Sequence, residues 1–210
     1  FDVPVYGKGI NLPPEILFQK DGGALHFTKP EHRVIIPNFK NFPSGDFTLS
    51  FWIKPDQLNQ QNSIISYASS PALNNELLFH YMNNQITFFI SNEQVNLPIT
   101  LQENVWQHVA VTFSNSTLEV KCYINSVPSG TATLSNPVDL NSGGTMVFGE
   151  DQDSVGGDFD PSQSYLGYLD DVRLYNEVQA RHQIYSDRKW TLEGNEPGLV
   201  GYWNLDESSG

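Results

Sequence analysis

The segment Phe47–Lys54 constrains the fold of this chain most, because apolar residues recur at every second position. The odd-numbered positions are Phe, Leu, Phe and Ile, and the even-numbered positions are Thr, Ser, Trp and Lys. A period of two residues indicates a strand that buries one face in a core. Similar short segments recur along the chain with turn residues between them, which predicts an all-β fold.

The other segments predict further strands and one helix. Pro37 is expected to end an early strand, and Asn83-Asn84 to form a hairpin turn. Strands and helices do not alternate, so we predict a two-sheet antiparallel jelly-roll sandwich with one short helix near the C-terminus. The strands are expected at residues 24–27, 33–36, 63–67, 76–82, 85–91, 94–99, 106–113, 118–124, 127–134, 145–148, 165–175 and 199–203, and the helix at 177–188.

The length of 210 residues is that of one β-sandwich domain. We divide the chain into an irregular N-terminal segment at residues 1–23, a jelly roll at 24–190 and a C-terminal segment at 191–210. The last segment either closes this domain or begins a following one. Because the chain begins at Phe1 and ends in Ser-Ser-Gly, we expect it to be a fragment of a longer protein, and a secretion signal could lie outside it.

The charge of the chain excludes several classes of partner. A net charge of −13 is unsuited to nucleic acid, which requires a basic patch, and to anionic lipid surfaces. No apolar run is long enough to span a membrane, so we expect no membrane insertion. The single cysteine, Cys122, cannot form an intrachain disulfide, and its apolar neighbours indicate a buried structural thiol.

The segment 149–163, called the acidic loop from here on, carries the strongest chemical signal. Its like charges repel one another, and calcium prefers oxygen ligands of the kinds this loop offers. Gly156-Gly157 allows a sharp turn. A solvated acidic surface loop is the alternative, and the spacing is not that of an EF-hand, so charge alone leaves both interpretations open. The acidic residues are Glu150, Asp151, Asp153, Asp158 and Asp160, with no Lys or Arg between them.

Catalytic templates find little support in this sequence. The five histidines form no His-Glu-x-x-His pair, and Gly-x-Ser-x-Gly and P-loop motifs are absent. Glu76 and a loop aspartate are the only carboxylates that suggest a glycosidase pair, and such pairs are common by chance in an acidic chain. We therefore predict a protein that is not an enzyme. Asn115-Ser116-Thr117 matches a glycosylation sequon in a predicted turn.

Residues 148–164 closely resemble the calcium loop of pentraxins. Both have a Gly, an acidic-Gln-Asp triplet, Ser, an apolar residue, Gly-Gly, and then Asn/Asp-Phe-acidic-x-Ser-Gln-Ser. Weaker similarity covers 47–52, 67–77 and 106–113. Ser50 and Ala110 stand where pentraxins have their two half-cystines, so neither position leaves an orphan thiol.

The pentraxin resemblance implies two adjacent calcium ions and names their ligands. Asn74 stands where Asp is usual, and Asp151 and Asp160 stand where Glu is common. We therefore expect weaker, extracellular-range calcium affinity. Gln152 would contribute its backbone carbonyl, and the other ligands their side chains. The implied ligand set is Asn74, Asn75, Asp151, Gln152, Asp153, Asp160 and Gln163.

Two further similarities bear on the ligand and on the chain's context. His80 matches the aromatic floor of the pentraxin ligand pocket, which contacts choline. Residues 167–176 resemble a late strand of laminin-G-like, concanavalin-A-like jelly rolls, and 192–207 resemble the junction between tandem domains of that type. The resemblance therefore implies neighbouring tandem domains and an extracellular location, either secreted or on a cell surface.

These inferences lead to one expected function and two alternatives. The first is a calcium-dependent, lectin-like binding module, in which a glycan or a phosphorylated small-molecule or cell-surface ligand coordinates the metal pair. The second is a structural or adhesion module whose calcium only stiffens the loop. The third and weakest is a concanavalin-like glycoside hydrolase, which would need an acidic strand motif that the sequence lacks.

Overall fold

The computed structural model describes residues 23–58 and 61–206, which form two antiparallel sheets and a short helix. The elements are β1 (Leu25–Phe27), β2 (Val34–Phe39), β3 (Phe47–Pro55), β4 (Asn62–Ala68), β5 (Leu77–Met82), β6 (Gln85–Ile90), β7 (Glu93–Leu97), β8 (Gln107–Ser114), β9 (Glu119–Ile124), β10 (Val127–Thr133), β11 (Gly144–Phe148), β12 (Gly167–Tyr175), α1 (Arg181–Asp187) and β13 (Leu199–Trp203). Sheet A has the order β1-β12-β3-β8-β9-β10, with β13 also beside β12, and sheet B has the order β2-β11-β4-β5-β6-β7. The predicted two-sheet sandwich is confirmed.

The core lies between the two sheets, as the alternation in β3 predicts. Phe47 and Phe51 are fully buried. The Phe51 ring meets the Phe79 ring of β5 edge to face, with centroids 5.1 Å apart, and the Phe47 ring contacts Phe88 of β6. These contacts cross from sheet A to sheet B, so burial of aromatic surface holds the sandwich together.

The central part of the outer face of sheet A is buried as well, because the C-terminal helix and the segment before it cover β3 and β8. Ile184 of α1 packs against Ala110 and Tyr123. The Thr48 hydroxyl donates to the carbonyl of Glu177 and accepts from the backbone N–H of Gln179. These bonds hold the chain extended before the helix, so α1 begins at residue 181 and not at 177 as its spacing predicted.

Three two-residue turns set the register of the hairpins. Both residues of Asn83-Asn84, Ser91-Asn92 and Asn125-Ser126 have positive φ. This is the backbone of a type I′ turn, which suits the twist of antiparallel strands. The predicted turn at Asn83-Asn84 is therefore confirmed.

The prediction that Pro37 ends its strand is wrong. Strand β2 continues to Phe39 through an irregularity in its pairing with β11, between the partners Ile36↔Met146 and Phe39↔Gly144. Because β2 is an edge strand that pairs only with β11, the missing N–H of proline is tolerated there.

The two ends of the described chain meet on one strand. β13 pairs with the second half of β12 and β1 with its first half. A Cβ on Gly23 would lie only 2.7 Å from the carbonyl oxygen of Asp206, so the two strands follow one another along the same edge. Residues 1–22 of the predicted N-terminal segment lie outside the described residues, and the predicted domain division stays a prediction.

Two smaller expectations can be compared with the structure. Cys122 is fully buried and unbridged, and burial raises the pKa of its thiol to about 12. It is thus the structural thiol that its neighbours predicted. In the described ranges, the helix found is too short and too polar to cross a bilayer.

Candidate metal centre

The acidic loop leaves β11 and folds back over the outer face of sheet B. The Gln152 side chain donates to the Thr145 carbonyl of β11 and to the Ser66 hydroxyl of β4. The Ser66 hydroxyl in turn donates to the carbonyl of Glu150. Gln152 is fully buried and its side-chain oxygen accepts from the N–H of Gly156, so the side chain serves as an anchor within the loop. Its backbone carbonyl is the group that the pentraxin resemblance assigns to calcium.

The two ends of the loop are joined at a narrow neck beside β4. Gly149 donates to the carbonyl of Ile64 and accepts from Tyr165. Ser164 forms a parallel bridge with Ser63. Gly149 has φ +90, and a Cβ there would lie 2.5 Å from the Phe27 ring. Only glycine lets the neck close this tightly.

Two local turns shape the rest of the loop. Backbone bonds in both directions join Ser154 and Gly157, which leaves Val155 exposed at the tip. Asp160 caps a short 3₁₀ turn at Pro161–Gln163 by accepting from the N–H of Ser162, 2.9 Å away. This hydrogen bond lowers the pKa of Asp160, so its carboxylate is available in the charged form that a cation needs.

Three of the implied calcium ligands carry buried oxygens without a hydrogen-bond partner. They are Asp151 Oδ1, Asn75 Oδ1 and Gln163 Oε1. Asp151 is only 5% exposed. A buried polar atom without a partner costs free energy and normally indicates a missing water or ion. The three residues come from the start of the acidic loop, its end, and the connection between β4 and β5.

The electrostatics around Asp151 are those of an uncompensated anion. Burial, and then the neighbouring charge of Asp153, raise the pKa of Asp151 to about 7. Burial also raises the pKa of Glu150, which Ser164 and Arg33 partly offset. A bound divalent cation would reverse both effects by favouring the charged carboxylates.

Asn74 and Asn75 lie in the connection between β4 and β5, and β4 is the neighbour of β11 in sheet B. Asn92 in the β6–β7 turn fixes this segment. Its side-chain oxygen accepts from the N–H of Asn75, its side-chain amide donates to Ala72, and its backbone N–H donates to the carbonyl of Asn75. Sequence reasoning missed Asn92, although the positive φ of its turn is the usual setting for asparagine.

Glu76 has a structural role in this segment. It is fully buried, and one carboxylate oxygen accepts from both the backbone and the side-chain N–H groups of Asn141. The hydroxyl of Tyr67 donates to the Asn141 carbonyl and accepts from Gly144. Glu76 therefore links the segment before β5 to the start of β11, and no described hydrogen bond or ion pair joins it to a loop aspartate.

His80 lies on β5, opposite Ser63 of β4 and Thr87 of β6. Its side chain is only 2% exposed, and burial lowers the pKa of the ring to about 4. One ring nitrogen lies 3.4 Å from the Ser63 hydroxyl, and the other, Nε2, has no partner. Because the ring is buried, a ligand at the surface would contact it only if the residues that bury it moved.

Across residues 23–58 and 61–206, no three His, Cys, Asp or Glu side chains cluster as a metal site. A cation at the acidic loop would therefore depend on amide and backbone oxygens beside Asp151 and Asp153. This ligand chemistry suits calcium and not zinc.

The sequon asparagine is engaged inside the fold. The Asn115 side-chain amide donates to the carbonyl of Val138, 2.8 Å away, and its oxygen accepts from the N–H of the same residue. A glycan on this nitrogen would break the pair of bonds, so the structure does not favour modification at Asn115.

Known proteins share this architecture. A family model, Laminin_G_3, described as the concanavalin A-like lectin/glucanases superfamily, matches residues 28–185. The chain belongs to the concanavalin A-like lectin/glucanases superfamily. Human neuronal pentraxin-2 is 26% identical over 168 residues, which cover 78% of this chain and 38% of that protein. The chain thus spans well under half the length of this relative.

Two solved structures extend the similarity. The native heptameric SAP-like pentraxin from Limulus polyphemus aligns with a TM-score of 0.65 at 24% identity, over 86% of this chain and 92% of that one. A putative carbohydrate binding protein from Bacteroides ovatus aligns with a TM-score of 0.68 at 18% identity, over 89% of this chain and 52% of that one. The pentraxin-like, laminin-G-like jelly roll predicted from residues 148–164 and 167–176 is confirmed.

Proposed function

We propose that this superfamily member is a calcium-dependent binding module that captures a hydroxyl- or phosphate-bearing ligand at the acidic loop. The observation that carries the proposal is the set of three buried oxygens without partners, on Asp151, Asn75 and Gln163. They belong to residues that the pentraxin resemblance assigns to calcium. A solvated acidic loop would not bury such atoms.

The residues present fit a calcium site. Asp151 and Asp153 would supply shared carboxylates, and Gln152 is anchored so that its backbone carbonyl stays available. Calcium accepts six to eight oxygens, so it can leave positions open to ligand oxygens. Asn74, Asn75, Asp160 and Gln163 would complete the set.

A glycan hydroxyl or a phosphate oxygen is the group we expect at the open positions. The similarity to a putative carbohydrate binding protein and to the lectin/glucanases superfamily supports a sugar. Binding without catalysis is part of the proposal, since Glu76 is fully buried and one of its carboxylate oxygens accepts from Asn141. We place the module outside the cell, where free calcium is high enough for a weak site.

Calorimetric titration of calcium into the metal-free chain tests this proposal. The wild type is expected to bind more than one ion. Asp151→Asn keeps the shape but removes a shared charge, so it should weaken binding about tenfold or more. Asp139→Asn is the matched control, because Asp139 is an exposed carboxylate outside the loop. A wild type that binds no calcium at millimolar concentration contradicts the proposal.

The burial of His80 favours a second candidate, a structural or adhesion module. His80 and Leu78 on the outer face of β5 are 2% and 1% exposed, so a ligand pocket beside the loop would have to open. Glycan-array and phosphocholine-agarose binding, each with and without EDTA, separate the candidates. Binding that EDTA abolishes supports ligand capture, whereas calcium binding without any captured ligand supports the structural role.

A further inference from the structure

The connection between β1 and β2 clasps both ends of the acidic loop. The Ser164 hydroxyl, directly after the loop, lies 2.6 Å from the carbonyl of Pro30 and 2.5 Å from Glu150 Oε1. A Cβ on Gly149, at the start of the loop, would lie 3.0 Å from the carbonyl of His32. The neck of the loop is thus built against residues 30–33, which the sequence pattern did not connect with it.

Arg33, in the same connection, contacts two loop side chains at once. Its guanidinium carbon lies 4.1 Å from the centroid of the Phe159 ring. Its Nη1 atom lies 3.6 Å from Glu150 Oε1. Glu150 is fully buried, whereas the Arg33 side chain is 28% exposed. Within the described ranges, Arg33 is the only Lys or Arg that forms an ion pair with a loop carboxylate.

We infer that Arg33 acts as a fixed counter-cation that holds the acidic loop closed before any metal binds. This inference rests on the proposed calcium site. Five carboxylates repel one another in the metal-free loop, and Arg33 offsets part of that repulsion where Glu150 is buried. Its planar group also lies over Phe159, near the far end of the loop. Calcium would then bind a loop that is already formed and lose less free energy to ordering.

Arg33 has two effects of opposite sign on the affinity of the loop for calcium, which makes the inference testable. A nearby positive charge repels calcium, so removing it should tighten binding if electrostatics alone mattered. Removing the contacts of Arg33 with Glu150 and Phe159 would leave the loop less ordered, so the substitution should weaken calcium binding if Arg33 orders the loop. We expect the second effect to be larger, because Glu150 is buried and Arg33 contacts the loop at two separated points.

The experiment compares Arg33→Met, Arg33→Lys and wild type by amide hydrogen exchange across 149–163 and by calcium titration. In metal-free Arg33→Met the loop amides should exchange about tenfold faster, and calcium should bind about tenfold more weakly. Saturating calcium should restore wild-type exchange. Arg33→Lys keeps the charge but loses the planar stack on Phe159, so it should be intermediate.

Lys121→Met is the matched control, since Lys121 forms an exposed ion pair with Glu119 on β9; both readouts should stay at wild-type values. Unchanged loop exchange in metal-free Arg33→Met, or calcium binding that is equal or tighter, overturns the inference. If the wild type takes up no calcium, the proposed function fails, but exchange in the metal-free variants still decides whether Arg33 holds the loop.

Discussion

At the scale of single residues, Gly149 controls the neck of the acidic loop. Gly149→Ala should destabilise the fold by about 3 kcal/mol, because it adds backbone strain at positive φ to a steric clash with Phe27. The backbone has φ +90, and the new Cβ would lie 2.5 Å from that ring. Urea unfolding measures the loss. Gly194 has φ +89 with nothing within 4 Å of a Cβ, so Gly194→Ala should cost only about 1 kcal/mol. Equal losses would show that the neck is not tightly packed.

His80 predicts a pH dependence of stability. Its folded pKa of about 4 lies below the ordinary 6.5, so the unfolded chain binds the proton more readily between these values. Stability from the neutral ring is present above pH 6.5 and should fall by about 3 kcal/mol as the pH drops through 4. Urea unfolding of wild type and His80→Gln at several pH values measures it. Burial also lowers the pKa of His108, but this residue is present in both proteins, so its effect cancels in the comparison. A wild-type advantage that does not change with pH would contradict the prediction.

The same residues show how far the sequence predicts the site. The loop could be recognised because its ligands follow one another within a few residues, as at Asp151 and Asp153. The contacts that Arg33 and Asn92 make with the site could not be recognised from the sequence, because each joins residues that are distant along the chain. The burial of His80 also depends on what covers the sheet, which its local pattern does not encode.

At the scale of elements, the register of β3 and β8 can be tested with an engineered disulfide. Ser50 and Ala110, which match the pentraxin half-cystines, are register partners. Opposed Cα atoms in an antiparallel pair are about 4.5–5.5 Å apart, within the range a disulfide spans. The double variant Ser50→Cys/Ala110→Cys should therefore form a disulfide and gain about 2–4 kcal/mol.

Thiol titration and thermal unfolding, with and without reductant, measure this gain. The two single variants are the controls, since neither can form the pair. Cys122 should not interfere, because it pairs with Val111 and lies in the core between the sheets, whereas Ala110 packs under α1. A double variant that keeps both new thiols free after oxidation would show that the two side chains point apart.

Elements were predictable where local pattern and tertiary context agree. The core face of β3 is buried as its alternation predicts, whereas the burial of its other face, at Thr48 and Ser50, depends on the segment and helix that cover it. β2 and α1 departed from the prediction for a shared reason, which is that a neighbouring strand decided their bounds. The edge position of β2 tolerates Pro37, and the Thr48 hydroxyl holds residues 177–179 extended, so that helix propensity before residue 181 is overridden.

At the scale of the whole molecule, the contacts of β13 bear on whether the C-terminal segment belongs to this fold. The Trp203 ring packs against Phe39 and Phe148, with centroids 5.5 and 5.3 Å away. The Tyr202 hydroxyl donates to Asp171 on β12. β13 therefore joins the edge of sheet A to β2 and β11 of sheet B, and its loss should open that side of the sandwich.

Trp203→Ala should accordingly cost about 2–3 kcal/mol of unfolding free energy, because it removes a partly buried ring between two aromatic partners. Trp190 is the matched control: it lies in the same C-terminal region but is 68% exposed, so Trp190→Ala should change stability by less than about 0.5 kcal/mol. Urea unfolding measures both variants. Equal, small effects would mean that residues 199–203 contribute little to this domain and that the strand is free to serve a neighbouring one. A large effect at Trp203 alone would make β13 the strand that closes the sandwich.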